Sequence, residues 1–283
     1  MVLVFGSVNL DLVARVPRIP APGETLSGTA FAVAPGGKGA NQALAARQAG
    51  ARVVMHGAVG DDAFAKVALA NLVAAGVAIE VARAPGPTGV ALINVDERGE
   101  NAITVVAGAN AKTRAAQVPD RDLDQRTTLL MQLEVPLAEV DILAARARQR
   151  GARIVLNAAP AAELAPSLLR NIDVLVVNEH EARICADHGG TPREIVAHMH
   201  KVYGLSCVVT LGSEGVLAAD GDGIVHVPAP KVDVVDTTGA GDAFAGALAA
   251  ALDAGETLHG AVVAGVRAGA ACCTYAGAQR ANS

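Results

Sequence analysis

The segment Asp236-Thr237-Thr238-Gly239-Ala240-Gly241-Asp242-Ala243-Phe244 carries chemistry most openly. It follows a Val-rich run and opens an Ala-rich stretch with helical character. Three small residues, Gly239, Ala240 and Gly241, leave successive backbone N–H groups uncovered at a helix N-terminus. Those donors and the helix dipole make an anion site. Asp242 falls in the first turn of the same helix. A carboxylate beside an anion hole suits a reaction in which a hydroxyl loses its proton while a phosphoryl group arrives. Asp242 is then the base, and the N–H cluster stabilises charge on the transferring group. The alternative is an ordinary glycine turn with an acidic residue that compensates the dipole.

Other polar groups sit at comparable places. Gly36-Gly37-Lys38-Gly39-Ala40-Asn41-Gln42 opens another helix; its glycines permit close approach of backbone to ligand, and Lys38 and Asn41 offer donors. Asn9 and Asp11, two apart in an extended segment, point the same way and suit the adjacent hydroxyls of a polyol. Asn178 and Glu181, three apart, share a face of an opening helix and could hold Mg²⁺ through water or simply cap that helix. Two familiar glycine patterns fail. GxGxxG would need glycine at Phe244, and a Walker A loop would need Ser or Thr after Lys38, where Gly39 stands.

The elements that must position these residues follow from periodicity and punctuation. Strands are expected at 2–5, 52–56, 129–133, 154–156, 174–177 and 207–210. Helices are expected at 39–49, 61–75, 137–150, 160–170, 192–203, 240–252 and 258–275. Two hairpins fit 89–95 with 102–106, and 215–219 with 224–227. Alternating strands and helices imply a mostly parallel sheet with helices on both faces, whose ligands bind at the carboxyl ends of the strands. Glu134, Asn157, Asn178 and the loop from Thr210 to Gly215 all follow strands.

Composition narrows the partners. The 283 residues are 52% hydrophobic but only 2% aromatic, with no Trp and a formal charge of −5. Nucleic-acid binding would call for a basic stripe and stacking aromatics, and neither is present. Four cysteines without a CxxC pair indicate a reduced, cytoplasmic setting rather than a disulfide framework or zinc site. No signal peptide is evident at the N-terminus. The apolar run 261–278 is interrupted by Arg267 and reads as a buried helix rather than a membrane span.

Taken together, these motifs resemble the ribokinase family of sugar kinases, also called the phosphofructokinase-B family. The similarity extends over essentially the whole chain, 1–283, as a single catalytic domain. It includes Gly6 to Asp11, Pro22 to Thr25, Gly36 to Gln42, Gly60 to Asp62, Met131 to Glu134, Asn157 to Ala161, Asn178 to Glu181, Thr210 to Gly215 and Asp236 to Asp242. The resemblance implies a three-layer α/β/α sandwich with a small β-sheet lid built from strands within about 12–32 and 89–106. It implies ATP-dependent phosphorylation of ribose at O5, with Asp242 as base and Gly239, Ala240 and Gly241 as anion hole. Asn9, Asp11, Gly37, Lys38, Asn41 and Glu134 would hold sugar hydroxyls. Asn178, Thr210, Gly212, Ser213, Gly215 and Val266 would line the ATP site, and Glu181 would act on Mg²⁺ through water. Asp236 and Thr238, with backbone around Cys272, Tyr275 and Gly277, match a K⁺ site of the family. Family members usually follow Gly-Ala-Gln with Pro-Ser; here Ala281 replaces that serine, and Ser283 is the available substitute. A homodimer through the lid is also implied. The competing readings are a relative acting on fructose, a keto-deoxy acid, deoxyribose or a nucleoside, and a non-catalytic sugar-binding protein. A nucleoside would want aromatic stacking surface, and the lid segments contain only Phe31.

Overall fold

The computed structural model describes residues 1–186 and 189–280, so Ala281 and Ser283 lie outside the described residues. The chain opens with β1 (Val2–Phe5), turns through Gly6 into β2 (Asn9–Arg15), and returns in β3 (Ala30–Gly36) before α1 (Lys38–Gln48). Next come β4 (Val53–Gly60), the short helices α2 (Ala63–Ala68) and α3 (Ala70–Ala74), and β5 (Ala78–Ala84). The hairpin β6 (Gly89–Val95) and β7 (Asn101–Val106) leads through 3-10 turns to β8 (Thr128–Met131). Strand and helix then alternate through α4 (Leu137–Arg150), β9 (Arg153–Asn157), α5 (Pro166–Leu169), β10 (Val174–Asn178), α6 (Glu179–Ala186), α7 (Pro192–Tyr203) and β11 (Ser206–Thr210). A second hairpin, β12 (Val216–Asp220) and β13 (Gly223–Val227), precedes α8 (Ala240–Asp253) and α9 (Leu258–Cys272).

Nine strands form one sheet in the order β13-β12-β11-β10-β9-β8-β1-β4-β5. The pairings from β11 through to β5 are parallel, and β12 and β13 extend one edge antiparallel. Every residue of β1 is buried, as a strand covered on both faces requires. Its alternation divides the core. Val2 and Val4 join the cluster under α1, α8 and α9, while Leu3 and Phe5 join the cluster under α4, α6 and α7. Helices therefore cover both faces, giving three layers. Among the described residues no helix is long and apolar enough to cross a membrane.

Four strands form a separate small sheet, β3-β2-β6-β7. β2 runs antiparallel to β3 and parallel to β6, and β7 closes the hairpin. Its strands fall partly in the segments 12–32 and 89–106, but β2 begins earlier, at Asn9, and the chain between β2 and β3 is a connecting loop.

Some local expectations were displaced. The helix at 61–75 is divided at Leu69, although Leu69 N to Ala65 O and Val73 N to Leu69 O carry the bonding across the joint. The helix at 160–170 shrinks to Pro166–Leu169. Pro166 lacks the N–H a continuing helix needs and pushes Ala165 into extended backbone. β5 has no clean alternation, because it is an edge strand carrying Glu80 and Arg83, and the periodicity did not reveal it.

Helix packing matters most for function. α1 and α8 approach so closely that a Cβ on Gly246 would lie 2.4 Å from the Gln42 carbonyl oxygen and 2.7 Å from Ala45 Cβ. No side chain fits there. The approach sets the first turn of α1 against the first turn of α8.

Candidate active site

Polar residues gather where β8, β9, β10 and β11 end, next to the N-termini of α1 and α8. Gly239 caps α8 with φ +79°, in the left-handed region where a Cβ is strained. A Cβ there would also sit 2.6 Å from that of Ala278. The position thus demands glycine twice over, and no side chain covers the N-terminus of α8, although Ala240 N already donates to the Thr237 carbonyl at 3.2 Å. Asp242, in the first turn, is 7% exposed.

Both carboxylate oxygens of Asp242 are held by amides from α1. Asn41 Nδ2 donates to Oδ2 and Gln42 Nε2 donates to Oδ1, each at 2.9 Å. Burial pushes the Asp242 carboxyl above its ordinary range. The Lys38 ammonium and the two amide hydrogen bonds oppose that, and Glu134 adds to it. Such a group keeps a proton affinity useful to a base while held in one orientation.

A second carboxylate group faces the small sheet. The Ser7 hydroxyl donates to Glu134 Oε2 at 2.6 Å, and Lys38 N donates to the same oxygen at 3.0 Å. Asp11, on β2, is raised to about 6, first by burial and then by Glu134 and Asp242. Burial lowers the Lys38 ammonium, but Asp242, Glu134 and Glu181 outweigh it and keep it charged. Asn9 accepts from Asn110 Nδ2 at 2.7 Å, which fixes its carbonyl and aims its own N–H₂ elsewhere. Asp11, Glu134 and Lys38 lie within electrostatic reach of Asp242, and together these groups offer the acceptors and donors that a ring of hydroxyls needs.

Two cavities meet at the α8 N-terminus. One, of about 140 Å³, is lined by Lys38, Asn157, Asn178, Glu181, Thr210, Gly239, Gly241 and Asp242. The other, of about 570 Å³, is mostly apolar and includes Val232, Val234, Phe244 and Val266, with Thr210, Gly212, Ser213 and Gly215 at one side. A polar chamber opening onto an apolar slot fits a polyphosphate with a flat heterocycle at its far end.

Asn178 and Glu181 cap α6 reciprocally: Glu181 N donates to Asn178 Oδ1 and Asn178 N donates to Glu181 Oε2, both at 2.8 Å. The capping reading is therefore correct, and it coexists with exposure to the small chamber. Among the described residues no three His, Cys, Asp or Glu side chains surround a common metal position. One carboxylate in a polar chamber suits Mg²⁺ that keeps its water shell. Elsewhere, Asp236 accepts from Thr238 N at 2.9 Å and from Gly277 N at 2.8 Å. Cys272 Sγ approaches the Thr238 carbonyl at 3.5 Å, so the 236–238 loop and the 272–277 segment form one unit. Its hard oxygen donors, a carboxylate and backbone carbonyls, match the chemistry of an alkali cation.

Several residues of the site were not assigned from sequence. Gln42, Asn157, Gln132 and Gln279 all lie in the hydrogen-bonded shell of Asp242, and Ser7 anchors Glu134. Gln42 stands inside a motif already singled out. Gln132 and Gln279 also stand inside segments already singled out, Met131 to Glu134 and Gly277 to Gln279, but a neutral amide gives no sign of what it must orient.

The description "pfkB family carbohydrate kinase" matches residues 1–283. A ribokinase of Lactococcus lactis is 38% identical over 252 residues, covering 88% of this chain and 82% of that protein. Among solved structures, a ribokinase from Thermotoga maritima matches with TM-score 0.89 and 33% identity over 98% of this chain and 94% of the other. An Arabidopsis thaliana ribokinase complexed with ribose and ATP matches with TM-score 0.87 and 29% identity, over 98% and 94%. The fold, the buried carboxylate at a bare helix N-terminus and these similarities agree: the chain belongs to the pfkB family of carbohydrate kinases.

Proposed function

We propose that this kinase transfers the γ-phosphoryl group of ATP to O5 of D-ribose. The observation that carries the reading is the position of Asp242, which lines the small polar chamber next to the apolar slot and lies within electrostatic reach of Asp11, Lys38 and Glu134. A hydroxyl entering from one side and a phosphoryl group from the other would meet at its carboxylate. The kinship to ribokinases, including one bound to ribose and ATP, supports the choice of sugar.

In this mechanism Asn9, Asp11, Gly37, Lys38, Asn41 and Glu134 bind and orient the sugar. Asp242 accepts the proton of O5 as it attacks. The N–H groups of Gly239, Ala240 and Gly241 stabilise the negative charge on the transferring phosphoryl oxygens. Lys38 adds a permanent positive charge beside both. Asn178, Thr210, Gly212, Ser213, Gly215 and Val266 hold the nucleotide, with the adenine against Val266. Glu181 would hold Mg²⁺ through water; when bound, that ion neutralises phosphate charge. Asp236 and Thr238, with the backbone of Cys272, Tyr275 and Gly277, would hold K⁺, which tunes the anion hole without touching substrate.

The small sheet is the lid. Strand register puts Asp11, Val105 and Ala91 on one face and Leu12, Val33 and Leu92 on the other. The second face leaves Phe31, Val33 and Leu92 68%, 45% and 44% exposed, an apolar surface suited to a second copy of the chain. A homodimer through the lid, in the cytoplasm, is the assembly we assign.

The test is a coupled ADP-release assay across ribose, deoxyribose, fructose, a keto-deoxy acid and adenosine, run with the parent enzyme and Asp242→Asn. Ribose should give the highest kcat/KM. Asp242→Asn should lose roughly 10²–10⁴ in kcat, the ordinary worth of a general base. Retention of turnover within tenfold would remove Asp242 from that role, and adenosine as best acceptor would replace the sugar.

A further inference from the structure

The amides around Asp242 form one continuous chain in which each orientation is forced by the next. An ionised carboxylate only accepts hydrogen bonds, so Asn41 and Gln42 must both turn their N–H₂ groups toward Asp242. Their carbonyls then face outward and need donors. Gln279 Nε2 supplies one to Asn41 Oδ1 at 2.9 Å. Gln132 Nε2 supplies the other to Gln42 Oε1 at 2.7 Å. Gln279 is itself oriented by Asn71 Nδ2, which donates to its carbonyl at 3.1 Å.

On the other arm Gln132 Oε1 is buried without a partner. It lies where a Cβ on Gly6 would be, 1.8 Å away. An orphaned buried carbonyl is costly, but turning the amide over would set the Gln132 carbonyl against that of Gln42 and lose the bond between them. The structure keeps the costly orientation, the one that presents N–H₂ to Gln42.

We propose that Gln279 and Gln132 are positioning residues for the base, acting on Asp242 through Asn41 and Gln42. The inference rests on the reading of Asp242 as the base. Gln279 lies in the C-terminal segment, 238 residues along the chain from Asn41, and joins α3 to α1. Loss of its N–H₂ frees Asn41 to rotate and set its carbonyl against Asp242. That orientation raises the proton affinity of the carboxylate and loosens its aim.

The experiment compares Gln279→Leu and Gln279→Glu with the parent, measuring kcat and the KM for ATP between pH 5.5 and 8.5. Gln279→Leu should lower kcat about tenfold near pH 6 and move the acidic limb of the kcat profile up by about one pH unit. The KM for ATP should stay within threefold, because none of the proposed nucleotide-binding residues belongs to the row of amides. Gln279→Glu has nearly the same shape but accepts only, so it reverses Asn41 outright and should be worse than Leu. Asn71→Asp, at the outer end, should move the limb in the same direction by reversing Gln279 first. An unmoved limb in all three variants, or Gln279→Glu equal to the parent, overturns the proposal. Asp242→Asn run alongside separates the failures. If it keeps turnover, the base assignment falls; if it loses turnover while the three variants keep the parent profile, only the relay falls.

Discussion

Asp11, which we propose holds the sugar, is a residue that folding resents. Its carboxyl is raised from 3.8 to about 6, chiefly by burial and then by the negative charges of Glu134 and Asp242. The folded chain therefore holds this proton more tightly than the unfolded chain does. Stability contributed by the site rises as pH falls through about 6 and is complete near the unfolded value, so at neutral pH the ionised group is a burden. A rise of about two units, at about 1.4 kcal/mol per unit, bounds that burden near 3 kcal/mol; solvent around this half-buried group screens part of it. Asp11→Asn keeps the shape and removes the charge. Urea unfolding at pH 7.5 without substrate should show the variant about 1–3 kcal/mol more stable than the parent, and the difference should vanish near pH 4. The same variant should bind sugar roughly tenfold to a hundredfold more weakly, since a charged acceptor makes a stronger hydrogen bond to a hydroxyl than an amide does. A variant no more stable than the parent at pH 7.5, or equally more stable at both pH values, would refute the electrostatic account.

Two further outcomes follow from packing. Gly246→Val forces α1 and α8 apart at the Gln42 carbonyl, so melting should reveal a loss of about 1–3 kcal/mol or more, and kcat should fall with it because Asn41 and Gln42 leave Asp242. His56 is buried with neither ring nitrogen partnered, and burial holds its pKa below the ordinary value. The unfolded chain takes up this proton first, so His56 makes the fold lose stability as pH drops below about 6.5, opposite in sign to Asp11. His56→Leu should flatten that acid-side loss in a series of melts from pH 7.5 to 5.

Much of the architecture was legible because its signals are local. Val2–Phe5 reads as a buried strand from four apolar residues and a following glycine, and the alternation after β8 announces the parallel sheet. Asp242 and Lys38 were legible for a related reason: each stands among glycines at the start of an apolar helix, a setting in which an ionisable side chain is conspicuous. β5 was not, since an edge strand that carries Glu80 and Arg83 shows no clean period. Nor were Gln132 and Gln279. Their importance comes from contacts across 90 and 238 residues of sequence, and nothing in a neutral amide advertises which way it must face.

The scarcity of aromatics acquires a mechanical meaning here. Alanine and glycine on facing helices let backbones approach within the reach of a short amide, and that approach is what carries Asn41 and Gln42 from α1 to a carboxylate on α8. A bulkier core would hold the helices farther apart and would need longer side chains, with more rotamers to fix, to grip the same carboxylate. The site instead spends short amides whose orientations are each determined by a neighbour, ending in Asn71 on one arm and in the unpartnered carbonyl of Gln132 on the other. The residual strain sits on the Gln132 arm, next to Gly6 and at the end of the first strand. There the chain also turns toward the small sheet, so the proposed lid and the amides that orient Asp242 share one point of attachment.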